Sequence, residues 1–277
     1  MRVALAQLAP RLLHKEENLR SIETTVAKSG ADLAMFGELF LTGYMARDAF
    51  PRLAETVPGP ATDRLSKIAA EFGTHVLVGM PERDAKGRHL FNTSVLVAPD
   101  GALWRYRKIH PANFGPFEEG LYFGRGSEPV LAETDFGKLG LMICYDAFFP
   151  ELGKAYALQG ADALAIVSAS PATSKPFFDK ILPARAIENT LFVLYVNLVG
   201  TELNIVFQGG TQGIGPRGED LGRGKDFEED VVIVDVDLRH LLLARELRPT
   251  LRDTRAELFE ATAGKRTSKK HRRKDVR

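Results

Sequence analysis

The chain has 277 residues, 44% hydrophobic and 26% charged, an ordinary globular composition with ample material for a core. A single cysteine excludes an intrachain disulfide framework and points to a reducing, cytoplasmic setting; the first residues lack a leader's long apolar run, and no stretch approaches a membrane span. The net charge of +1 conceals an asymmetry, because eight of the 37 Lys and Arg but only one of the 36 Asp and Glu fall in residues 265–277, leaving 29 basic and 35 acidic residues before them.

The body, 1–264, therefore reads as one mildly acidic domain, and 265–277 (KRTSKKHRRKDVR) as a basic tail expected to be disordered. In chain order, residues 2–8 (RVALAQL) predict a buried strand. A helix is predicted over 15–29, with Leu19, Ile22 and Val26 on one face and Gly30 as its stop. A short strand over 32–36 runs into Gly37-Glu38, and Thr62 is expected to cap a helix that Gly73 closes. Residues 75–80 (HVLVGM) give a third strand, so the order so far is β-α-β-α-β, the pattern of a layered α/β domain.

The alternation then changes. Strands over 90–98 and 102–108 flank the turn Pro99-Asp100-Gly101 and predict a hairpin, and a second hairpin spans 130–134 and 138–144. Between them lies a loop, 109–129, rich in Pro, Gly and aromatic residues. A helix to Gln159, a strand over 162–168, a helix over 177–188, a strand over 191–197 and further hairpin strands in 205–236 complete a mixed-sheet arrangement. Gly213-Ile-Gly215-Pro-Arg-Gly218 matches GxGxxG formally, but Pro216 and the polar run behind it lead into a strand, so a hairpin turn is expected and no dinucleotide site.

The chemistry centres on Gly140-Leu-Met-Ile-Cys-Tyr-Asp-Ala-Phe-Phe-Pro-Glu151, where an apolar strand runs into Cys144 and Pro150-Glu151 opens a helix. A lone cysteine there is ordinarily a small buried hydrophobe. Ahead of a helix it is also placed for a lowered thiol pKa. A thiolate that cleaves a carbon–nitrogen bond needs a base, a positive group for the oxyanion and a shielded site. Of the six histidines, only His110 lies just after a strand in the long loop. Glu38 and Lys108, by contrast, each end an apolar strand as Cys144 does, and a carboxylate in such a pocket has a raised pKa suited to taking the thiol proton.

Phe36-Gly-Glu38-Leu-Phe-Leu-Thr-Gly-Tyr44, Tyr106-Arg-Lys108-Ile-His110 and Ile143-Cys144-Tyr-Asp146-Ala-Phe-Phe-Pro-Glu151 resemble, in order, the three signature blocks of the nitrilase superfamily of carbon–nitrogen hydrolases. The resemblance runs over about residues 2–245 and takes in Pro183-Ala-Arg185-Ala-Ile-Glu188-Asn189. It implies a single-domain, four-layer α-β-β-α sandwich with mixed sheets that pairs with a second copy through its α faces. It also implies Glu38 as general base, Lys108 as oxyanion partner and Cys144 as nucleophile, with no metal or organic cofactor. Glu119, in a segment similar to the family's Phe-Asp-Glu block, would orient the substrate nitrogen, and the Tyr145 backbone N–H would assist the oxyanion. Phe114, Phe117, Tyr122 and Phe123, with Phe148, Phe149, Phe177 and Phe178, are expected to line an apolar substrate pocket.

Cys144-Tyr145-Asp146 resembles the amide-cleaving members; an amidase is expected, with a nitrilase or N-carbamoyl amide hydrolase as alternatives. Many amide-cleaving members carry an arginine just after this motif, where the chain has Ala147-Phe148-Phe149, so a substrate carboxylate lacks that partner. Ser168-Ala-Ser170-Pro171 and the segment 184–189 also resemble the glutaminase domain of glutamine-dependent NAD synthetases; without a second domain, a free-standing amidase is expected. A different class of reading makes the basic tail a contact for nucleic acid or another acidic surface.

Overall fold

The computed structural model describes residues 1–258. The tail 265–277, with the disorder expected of it and the binding role built on it, lies outside the described residues. Among the described residues no helix is long and apolar enough to cross a membrane.

One six-stranded sheet is built from β1 (Arg2–Gln7), β2 (Leu33–Phe36), β3 (His75–Arg83), β4 (Leu90–Val97) and β5 (Leu103–Arg107), with β14 (Asp230–Asp235) on its far edge, in the order β14-β1-β2-β3-β4-β5. The second contains β6 (Leu131–Thr134), β7 (Gly137–Ile143), β8 (Ala163–Ser168), β9 (Phe192–Asn197), β12 (Gln212–Ile214) and β13 (Asp220–Arg223), in the order β13-β12-β9-β8-β7-β6. A separate hairpin joins β10 (Val199–Glu202) to β11 (Ile205–Gln208). β1, β2 and β3 run parallel, as do β7, β8 and β9, and the remaining pairings are antiparallel.

The central strands β2, β8 and β9 are buried at every position because both of their faces are covered, whereas the edge strands β5, β6, β13 and β14 are partly exposed. Val3, Leu5, Leu33, Met35 and Leu77 join a core with Leu139, Ile166 and Leu194 of the opposing sheet. The alternate residues Ala4, Ala6, Ala34, Phe36, Val76 and Val78 pack against Leu19, Ile22 and Val26 of α1 (Lys15–Ser29) and Leu65, Ile68 and Ala69 of α3 (Pro60–Phe72). Each fully buried side chain of this size contributes about 1.5–3 kcal/mol of transfer free energy. On the other side α5 (Pro150–Leu158) and α6 (Lys175–Asn189) place Leu152, Tyr156, Leu182 and Ala186 in the core shared with the second sheet. The result is the expected α-β-β-α sandwich. Short helices α2 (Phe50–Leu53) and α4 (Glu119–Tyr122) interrupt the loops.

Three local readings are corrected. Gly59, not Thr62, is the N-cap of α3; Thr62 sits one turn in, its hydroxyl accepting from the Gly59 N–H and donating to the Gly59 carbonyl, both at 2.8 Å. The segment 205–236 is not one run of hairpins. β12 and β13 do form a hairpin across 215–219, as expected of the glycine-rich stretch, but β14 crosses to pair antiparallel with β1. A closing helix, α7 (Leu238–Leu247), was not anticipated.

This topology gathers the ends that matter. Glu38 follows β2 and Lys108 follows β5, which share a direction in one sheet, and Cys144 follows β7 and Ala169 follows β8, which are parallel in the other; all four lie at carboxyl ends of strands, where open α/β sheets leave their crevice. Close approach needs glycine here: a Cβ on Gly79 would press on the Leu39 N–H and stand 2.7 Å from Glu38 Cα, and one on Gly37 would strike Leu198.

Candidate active site

Lys108 is the centre of a buried charge cluster. Its Nζ donates to Glu38 Oε1 at 2.6 Å and to Glu119 Oε1 at 2.7 Å, and all three residues are buried. Asn92, on β4, donates to Glu38 Oε1 at 2.7 Å; the Ala169 backbone N–H donates to Glu38 Oε2 at 2.9 Å; the Tyr44 hydroxyl donates to Glu119 Oε1 at 2.7 Å. Sequence reasoning missed Asn92, Tyr44 and the Ala169 N–H, which are brought in by the sheet and by loops distant in the chain. Tyr44 lay inside the quoted block around Glu38, and that proximity was its only available signal.

Burial raises the Glu38 pKa, the Lys108 charge opposes this, and Glu119 adds to it. Burial alone would lower the Lys108 pKa, but the charges of Glu119 and Glu38 carry it above its ordinary value and favour the ammonium form. Cys144 opens a 3-10 turn, Cys144–Phe148, with φ of +45°, a left-handed conformation uncommon for a residue with a Cβ. Its thiol pKa is raised, not lowered as its place ahead of a helix suggested: burial is the main cause and Glu38 adds to it, while Lys108 and the Ser168 hydroxyl offset part. A cluster that holds two carboxylates and one ammonium resists another net negative charge. The thiol can ionise without that cost by passing its proton to Glu38, since the cluster's total charge is then unchanged.

Asp146 builds the turn. Its Oδ2 accepts from the Tyr106 hydroxyl at 2.7 Å and the Ile143 N–H at 3.1 Å, and its Oδ1 accepts from the His110 N–H at 3.0 Å and lies 2.8 Å from His110 Nδ1. The ends of β5 and β7 are thus tied through one carboxylate. His110, stacked on Phe149 at 3.6 Å, is engaged here and stands apart from the Glu38 cluster's hydrogen bonds. From behind, Arg185 Nε donates to the Ala147 carbonyl at 2.9 Å and its Nη1 to Glu188 at 2.8 Å, which explains the 183–189 segment as a brace. Replacing Asp146 by alanine leaves four donors short of a partner, so urea denaturation is expected to show a loss of roughly 3–5 kcal/mol. Turnover is expected to fall about 100-fold with the misplaced turn.

Cys144 and Glu119 open onto a cavity of about 280 Å³ lined also by Tyr44, Ala112, Phe114, Phe117, Tyr145, Phe148, Ser170, Ser174, Phe177 and Phe178. Phe114, Phe117, Phe148, Phe177 and Phe178 are where the sequence reading expected them. Three are not: Phe149 lies on His110, and Tyr122 and Phe123 pack on Phe50 beside a separate small cavity.

One further buried acid supports the site. Glu202 Oε2 accepts from the Met45 N–H at 2.8 Å, next to Tyr44, and burial raises its pKa to about 7 despite the N–H bonds from Met45 and Tyr44. Between its ordinary 4.5 and about 7 the folded chain holds a proton that the unfolded chain has lost, so stability falls as pH rises through this window, by roughly 3 kcal/mol. Glu202→Gln is expected to remove that fall, raising the melting temperature at pH 8 by about 5 °C relative to the parent while changing it little at pH 4. An unchanged difference between the two pH values would refute this.

The chain is 32% identical to a nitrilase of Pyrococcus abyssi, over 94% of this chain and 99% of that one, and 32% identical to an omega-amidase of Bos taurus, over 95% and 98%. It is 35% identical to a glutamine-dependent NAD(+) synthetase of Thermotoga maritima, over 86% of this chain but 42% of that one. Among solved structures it superposes with a TM-score of 0.82 on an amidase from Nesterenkonia sp. AN1, in a variant carrying acrylamide added to its active-site cysteine, at 29% identity over 94% of this chain and 99% of that one. The carbon-nitrogen hydrolase family model matches residues 2–246, and with that span and these relatives the chain belongs to the carbon–nitrogen hydrolases.

Proposed function

We propose that this carbon–nitrogen hydrolase is an amidase in which Cys144 is the nucleophile, Glu38 the proton carrier and Lys108 the oxyanion partner. The observation that supports it most is the buried Lys108 ammonium held between Glu38 and Glu119, with Cys144 on the wall of the same cavity as Glu119.

Glu38 takes the thiol proton as sulfur attacks the amide carbon. The negative charge that leaves the thiol moves to the carbonyl oxygen, where Lys108 Nζ and the Tyr145 N–H receive it, in a site already organised before substrate arrives. Protonated Glu38 delivers its proton to the departing nitrogen as the carbon–nitrogen bond breaks, leaving a thioester and releasing ammonia or an amine. A water then passes a proton to Glu38 and adds to the thioester; the carbon–sulfur bond breaks and the thiolate recovers the proton. Glu119, held by Tyr44 and Lys108, is placed to accept a hydrogen bond from the amide nitrogen.

Acid quenching during turnover of an amide panel tests this. The peptide that contains Cys144 should carry the acyl mass, removable by hydroxylamine. Steady ammonia release with no acyl group on Cys144, or with the acyl group elsewhere, would refute it. Nitriles and N-carbamoyl compounds in the same panel test the alternative substrates. The homodimer implied by the family resemblance is part of this proposal, and light scattering should give twice the chain mass.

A further inference from the structure

We infer that the acyl group accepted at Cys144 is neutral and apolar, and that acyl groups bearing a second carboxylate are rejected. The inference rests on the Cys144 reading for the position of the reacting carbon; the rest comes from the walls of the cavity.

Those walls are aromatic, with neighbouring rings in T-shaped or tilted contact. Phe114 meets Phe117 at 5.3 Å and Tyr145 at 4.8 Å, Tyr145 meets Phe148 at 5.4 Å, and Phe148 meets Phe178 at 5.2 Å. Phe117 and Phe178 are buried, whereas Phe114 and Phe177 are 48% and 58% exposed, apolar surface at the mouth that a bound acyl group would cover.

The charges point the same way. No Lys, Arg or His is among the lining residues, and the acid on the wall is Glu119. Three cations near in the chain are committed elsewhere: Lys108 to Glu38 and Glu119, Lys175 to Asp179 at 2.9 Å, and Arg185 to the Ala147 carbonyl and Glu188; Arg47 is exposed and lines the neighbouring cavity, on the other side of Tyr44 and Glu119. A substrate carboxylate would lose its water against five phenyl rings and face Glu119 without a counter-ion. The aromatic residues Phe148 and Phe149 that follow the nucleophile turn supply one wall and the His110 stack, so the turn itself offers no guanidinium.

Two matched pairs test this on the full chain. Pentanamide and 5-amino-5-oxopentanoate differ by a methyl group against a carboxylate at the far end; kcat/KM is expected to favour pentanamide at least 100-fold. The aldehydes pentanal and 5-oxopentanoate address the pocket without amide cleavage: the Cys144 sulfur adds to the aldehyde carbon and the thiol proton goes to its oxygen. Protection of Cys144 from iodoacetamide, followed by mass, is expected at a pentanal concentration at least 30-fold below that for 5-oxopentanoate. Equal protection by the two aldehydes, or equal or better turnover of the carboxylated amide, overturns the inference. If neither amide is cleaved but pentanal protects selectively, the pocket assignment holds and the amidase reading fails.

Discussion

Cys144→Ala is expected to abolish ammonia release, by roughly 10⁴-fold or more, while leaving the fold nearly as stable as before. In the proposed mechanism the reaction loses the atom that forms the thioester, and Glu38, Lys108 and Glu119 have no means of replacing it. Their mutual hydrogen bonds do not pass through the sulfur, so the charge cluster survives. Alanine has the same steric difficulty as cysteine at φ of +45°, so the strain of the turn is retained rather than relieved. Stability is expected to stay within about 1 kcal/mol of the parent. A variant that folds, melts normally and still releases ammonia at the parental rate would remove Cys144 from the chemistry.

Lys108→Met is expected to damage both properties. Methionine keeps much of the side-chain length but removes the charge, leaving Glu38 and Glu119 facing each other in a buried site. Turnover should fall about 10³-fold from the lost oxyanion partner alone. Breaking a buried pair by deleting one member costs roughly 3–5 kcal/mol. The Glu38 carboxyl, already raised by burial and held down in part by Lys108, should rise further without the ammonium, so the folded variant retains a proton that the unfolded chain loses. Its stability deficit should therefore widen as pH rises from 5 to 8. The contrast between the two variants, one inactive and stable, the other inactive and pH-sensitive, separates a nucleophile from a charge that the fold also depends upon. Activity near the parental level in Lys108→Met, or a deficit that does not change with pH, would count against this assignment.

Much of this arrangement is legible in the chain because apolar strands end abruptly at charged or reactive residues. Glu38, Lys108 and Cys144 are each visible as the residue where a buried run stops, and the sheets deliver such ends to one edge. Tyr44, Asn92 and Glu202 carry no comparable signal. Asn92 lies inside a strand pattern, and its partner Glu38 is 54 residues away. Glu202 looks like an ordinary hairpin charge until the β10–β11 hairpin is folded over the Met45 turn. α7 escaped notice because Leu241 is buried while Leu242, Leu243 and Leu247 are exposed, which blurs the one-sided pattern that marks a helix. The crossing of β14 to β1 is invisible locally, since an alternating apolar segment fits either sheet's edge. The thiol pKa was misjudged for a related reason: proximity to a helix is written in the sequence, whereas burial beside Glu38 is created only by the assembled sandwich.

Glu38 and Lys108 come from one sheet, while Cys144 and the Ala169 N–H that bonds Glu38 come from the other, and Gly37 and Gly79 allow the backbones near Glu38 to pack closely. The groups proposed to react therefore span a seam between two sheets, joined by a shared hydrophobic core and pinned at this edge by the Asp146 and Ala169 hydrogen bonds. A slip of one sheet past the other by an ångström would leave each sheet's own hydrogen bonds intact yet separate base from nucleophile. Under the proposed roles, activity should report shear between the layers, and mild denaturant or pressure is expected to silence it before spectroscopic signs of unfolding appear.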